Sequence, residues 1–216
     1  MQQEPTIEEK VGVIRSLFER APTYRVISAR SALVAGFLSI LAASAIYLNN
    51  QTNITGGLPI RSRQFAIIWI AVFVLSLTAS TFFLWREARK TGRPLISAGM
   101  NLALRAITPC LVIPGVYTAW FLTTGYLGGD RLTLVVVWVA FYGLALLSTE
   151  FFAPRSIPLL GWTFLITSLA IPVVLDATTL GFSPAAPNYI MGVSFGLYHL
   201  VYAAATWSRR RAITTQ

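Results

Sequence analysis

Chemistry-bearing residues are scarce in this chain. Cys110 is the single cysteine and His199 the single histidine, the lysines are Lys10 and Lys90, and Asp and Glu together number 8 among 216 residues. One cysteine closes no disulfide within the chain and builds no multi-thiolate metal site. One histidine makes no His-rich metal motif and offers a haem only one axial ligand. Neither lysine falls within an apolar segment, which excludes a retinal Schiff base. There is no Ser-His-Asp group at shared depth, no carboxylate cluster and no phosphate-cradling glycine loop. The expectation is a protein without a catalytic set or a multi-ligand metal motif, and the sequence does not identify a cofactor. Charged residues are 12% of the chain, against roughly 25% in soluble domains.

Apolar length is what the chain has in quantity, with 55% hydrophobic residues. Six stretches, 28–48, 65–84, 101–124, 132–149, 159–180 and 189–207, each approach the roughly 20 residues that cross a hydrocarbon core about 30 Å thick. The fold class expected is therefore an all-α integral membrane protein with six transmembrane helices. Residues 1–22 read as a cytoplasmic amphipathic helix, 23–208 as the transmembrane domain and 209–216 as a basic cytoplasmic tail. The first apolar stretch follows a charged segment and runs too long for a signal peptide core.

The net charge of +9 is distributed like a topology signal rather than a nucleic-acid footprint. Lys10, Arg15, Arg20, Arg25 and Arg30 lead into the first span. Arg86, Arg89, Lys90 and Arg93 lie between spans two and three, Arg155 between four and five, and Arg209, Arg210 and Arg211 after six. The other side holds Arg61, Arg63 and Arg131. Cations resist translocation and meet anionic lipid on the cytoplasmic leaflet, so N-in, C-in topology in an inner (plasma) membrane is expected, with no nucleic acid partner.

Thr6 and Glu9 have capping-box spacing, and Ile7, Val11, Ile14, Leu17 and Phe18 recur at helical intervals. Such a helix lies in the inner interface or docks on a partner. Ala21-Pro22 is expected to end it, since proline disfavours helical geometry in the residue before it, leaving Thr23 to cap the first span. The run Ile14-Arg15-Ser16-Leu17-Phe18-Glu19-Arg20, with Tyr24-Arg25-x-Ile27-Ser28 and Ala35-Gly36, resembles a group of small uncharacterised bacterial multipass membrane proteins. The likeness covers about the first 45 residues and implies an inner-membrane location; it carries no activity.

Ser31, Ala35, Ser39 and Ala43 form a small-residue stripe on span one, and Gly192-x-x-x-Gly196 repeats the device on span six. Small residues let helix backbones approach closely in lipid, here within the bundle or between copies. Residues 69–83 align without gaps to 138–152, and Val112-Ile113-Pro114 matches Ala170-Ile171-Pro172, which suggests three consecutive helical hairpins. Pro109, Pro114 and Pro172 fall inside spans, where kinks are expected.

Ionisable groups in hydrocarbon need partners or water. Arg105 and Glu150 lie nearly equidistant from the turn at 127–128, so an ion pair stapling spans three and four is expected. His199, near the midplane of span six beside Tyr198 and Tyr202, is a candidate ligand or proton relay. Asp176 ends span five near the outer surface. Three readings follow: a non-catalytic membrane subunit or scaffold that packs with itself or a larger complex; a small transporter or channel between spans three, five and six using Tyr198, His199 and Asp176; and a lipid- or pigment-binding protein using His199.

Overall fold

A computed structural model describes residues 7–52, 61–91, 98–124, 131–150, 153–177 and 183–214, and they form helices and turns with no strand among them. The helices are α1 (Ile7–Thr52), α2 (Ser62–Thr91), α3 (Ala98–Thr124), α4 (Arg131–Leu147), α5 (Ser156–Asp176) and α6 (Ala186–Met191). A π-helical segment, Gly192–Leu197, then runs into α7 (Tyr198–Thr214), so that these last three form one continuous span. The Thr6–Glu9 box, the side chains of the N-terminal apolar stripe and the tail arginines lie outside the described residues and side chains.

Five helices are long and apolar enough to cross a membrane: Ala29–Gln51, Ser62–Lys90, Ala103–Thr124, Ser156–Asp176 and Ala186–Trp207. This is an α-helical multipass architecture, in which backbone N–H and C=O groups pair along their own helices. The remaining apolar stretch is α4, whose 17 residues rise about 25 Å, just short of a hydrocarbon core.

The expected break at Ala21-Pro22 does not occur. α1 runs unbroken for 46 residues, and Thr23 lies inside it rather than capping a second helix. Pro22 forfeits one backbone bond, to the carbonyl of Phe18, but a helix already nucleated on both sides continues across one missing bond more readily than it starts afresh. Residues 7–28 therefore extend the first span's helix beyond its apolar part. α3 and α5 likewise continue through Pro109, Pro114 and Pro172.

α1 packs along α2 and along the last span, and α4 lies between α3 and α5. The hairpins α1–α2 and α3–α4 are present. The third expected hairpin is not the main contact of its members: α5 packs chiefly on α4, and the last span chiefly on α1. Ala32 shares a cluster with Tyr202 and Ala203, and Ala43 meets Gly192. α1 and the last span are thus antiparallel, with the start of one beside the end of the other.

Helix association in lipid depends on packing rather than on exclusion from water, and two glycine contacts set the closest approaches. A Cβ on Gly143 would stand 2.9 Å from the Gly161 carbonyl oxygen, and one on Gly161 3.0 Å from that of Gly143. The α4 and α5 backbones touch there. A Cβ on Gly196 would meet Ile40 Cδ1 at 2.6 Å, and one on Gly36 would meet Leu200 Cγ at 2.8 Å. The Gly192/Gly196 pair therefore serves the internal contact with α1, where Ser39 is buried and Ser31, Ala35 and Ala43 are half-buried.

Where the bundle closes, Ile46, Phe65, Trp69, Val135, Val139, Phe164 and Met191 form one buried cluster, with Tyr142, Phe195 and Tyr198 packed against it. Polar staples hold its edges. Trp138 Nε1 donates to Thr118 Oγ1 at 2.9 Å, and Thr118 donates to the Pro114 carbonyl at 2.6 Å. Arg131 Nε donates to Ser62 Oγ at 3.1 Å. Asn188 Nδ2 donates to the Ala43 carbonyl at 2.9 Å. Large apolar side chains on α2, α3 and α5 face outward, among them Phe73, Leu77, Ile113, Trp162 and Leu169.

Candidate functional site

The most reactive side chain in the bundle interior is His199, 5% exposed on the last span. Its Nε2 lies 2.7 Å from the phenolic oxygen of Tyr142, at the middle of α4. Nδ1 is buried and has no hydrogen-bond partner. The tautomer sets the direction of the bond: with the ring proton on Nδ1, Tyr142 donates to Nε2, and with it on Nε2 the imidazole donates to the phenolic oxygen.

The π-helical segment places the histidine. Within it the Tyr198 N–H reaches back to the Val193 carbonyl, one residue further than in an α-helix. A wider turn brings side chains four residues apart closer to eclipsed. Phe195 and His199 are accordingly stacked, with ring centroids 6.3 Å apart and planes 14° apart. Small residues at 192, 194 and 196 make the segment buriable, and Ser194 Oγ donates to the Ile190 carbonyl at 2.7 Å.

An aromatic wall surrounds the pair. Tyr142 lies 4.8 Å from Phe164 and 5.1 Å from Phe195, centroid to centroid. Phe164 meets Tyr198 edge-on at 5.6 Å. Tyr198 hydroxyl lies 3.0 Å from Thr167 Oγ1 on α5, and Tyr202 hydroxyl lies 3.5 Å from Ser156 Oγ. Edge-to-face rings at these spacings add packing energy beyond area alone. The assembly is a polar-aromatic knot joining α4, α5 and the last span.

Of the residues expected at a site, His199, Tyr198 and Tyr202 share this region. Asp176 stands apart, exposed at the C-terminal end of α5, with no hydrogen bond or ion pair to His199. Arg105 and Glu150 are both exposed, and no ion pair joins them. Equal distance from a turn sets their depth but not their direction around each helix, and both point outward. Among the described residues no three of His, Cys, Asp and Glu gather in a metal-binding group.

Chemically, Nε2 is engaged by the Tyr142 hydroxyl, so a pigment metal would reach that atom only if Tyr142 moved away. Proton exchange within the Tyr–His bond needs no such movement. Tyr142 was missed in the sequence, although its position at the middle of span four matched the midplane position of His199. The Gly143/Gly161 contact and the π-helical segment carried no comparable signal. No protein-family model, curated protein or solved structure matches this chain.

Proposed function

We propose that the chain is a six-span, non-catalytic membrane subunit or scaffold, with both termini on the cytoplasmic face of a bacterial inner membrane. The observation that carries this reading is the internal pairing of its histidine. His199 and Tyr142 are bonded to each other inside an aromatic knot, while α2, α3 and α5 present their large apolar side chains outward. Polar chemistry serves internal cohesion, and the surface on offer is apolar. α4 supports a sixth crossing because it carries no charge beyond Arg131 and is flanked by two spans of full length.

Purification of the full chain in mild detergent, with light scattering and mass spectrometry of co-purifying proteins, tests it. The expected result is a stoichiometric membrane partner or a defined homo-oligomer. A partner-free monomer that conducts solute after reconstitution would contradict the reading and favour the transporter.

A further inference from the structure

The outward face of α2 carries a graded stripe that the bundle leaves uncovered. Val74, Thr78, Phe82, Trp85 and Arg89 recur at helical spacing, and all are exposed. The Thr78 hydroxyl is turned back onto the Val74 carbonyl at 2.8 Å, so the stripe is effectively apolar as far as Trp85. Phe82 and Trp85 lie ring to ring at 5.9 Å. The Arg89 guanidinium carbon then sits 4.4 Å from the centre of the Trp85 ring.

That stack has a consequence for recognition. It holds the guanidinium over the indole, and such a contact uses up none of the N–H donors of the guanidinium fork. The fork matches two oxygens of a phosphate. Arg86 and Lys90 are exposed nearby, and both fall in the last turns of α2. Cations at a helix C-terminus also complement the helix dipole, but that role needs no aromatic platform under one of them.

We propose that this face binds one anionic phospholipid. Its acyl chain lies along Val74, Thr78 and Phe82, Trp85 stands at the level of the glycerol, and the phosphate meets the Arg89 fork with Arg86 and Lys90 beside it. The order apolar, indole, guanidinium follows the order of layers in a leaflet. The proposal rests on α2 crossing the membrane with its basic end at the inner surface.

The test is native mass spectrometry of the full chain released from nanodiscs containing equal phosphatidylglycerol and phosphatidylcholine. Retained phosphatidylglycerol should exceed phosphatidylcholine. Arg89→Gln should cut that preference by about fivefold, the equivalent of roughly 1 kcal/mol for one cation at an anionic surface. Trp85→Leu keeps the position apolar but removes the stack, and should cut it as well. Arg155→Gln, at another exposed arginine, should leave it unchanged. Equal loss on Arg155→Gln would mean diffuse charge attraction, and no loss on Arg89→Gln would mean another site; either overturns the proposal. If no lipid preference is found while the chain still requires amphiphile, the site fails and the membrane reading stands. A chain soluble without amphiphile ends both.

Discussion

Tyr142 and His199 are each other's partners in a place without a substitute. Tyr142→Phe removes the hydroxyl and leaves Nε2 without its partner among aromatic rings. Burying an unpaired polar atom costs about 1–3 kcal/mol in soluble proteins, whereas interhelical bonds in membranes average about 0.6 kcal/mol. A loss of about 1 kcal/mol is expected for Tyr142→Phe, read from unfolding in detergent. Tyr198→Phe should cost less, because Thr167 keeps its bond to the Thr163 carbonyl at 2.7 Å. If Tyr198→Phe costs as much, the His–Tyr bond has no special weight. At this scale the sequence was informative about depth and silent about direction. Depth reasoning applied to Arg105 and Glu150 produced a pair that the structure does not form. Trp138 and Thr118, nearly equally spaced about the same turn, do meet, because they lie on the facing sides of their helices.

The helices rank their own contacts through glycine. Gly143→Ala places its methyl against a backbone oxygen, which cannot yield, so overpacking should cost about 1–3 kcal/mol. Gly196→Ala meets the tip of Ile40, which can rotate, and should cost less. Gly115→Ala has open space around it and should be neutral or stabilising by up to about 1 kcal/mol through helix propensity. Unfolding of the three variants in one detergent checks the order, and a Gly115→Ala penalty matching that of Gly143→Ala would refute it. Apolar runs made most elements legible. The continuity of α1 through Pro22 was not, because a proline's local penalty was weighed without the cooperativity of the helix on either side. The π-helical segment was hidden too, since its small residues also suit ordinary helix packing.

For the molecule as a whole, the membrane architecture was plain from composition and run length, and five spans bear it out. The sixth depends on α4, because removing one crossing would place the two termini on opposite faces. The pairing of the last span with α1 was partly visible in their matching small-residue stripes. That α5 would choose α4 was not, since Gly143 and Gly161 lie in no motif. Single cysteines introduced into a Cys110→Ser background, probed in intact cells with a membrane-impermeant maleimide, test the six-span reading most directly. Cysteines within 53–60, 125–130 and 178–182 should label from outside. Those within 92–97 and at 151 or 152, and at either terminus, should label only after permeabilisation. Labelling of 125–130 and 151–152 from the same side would show that α4 does not cross, and the account of a six-span protein with both tails inside would be wrong.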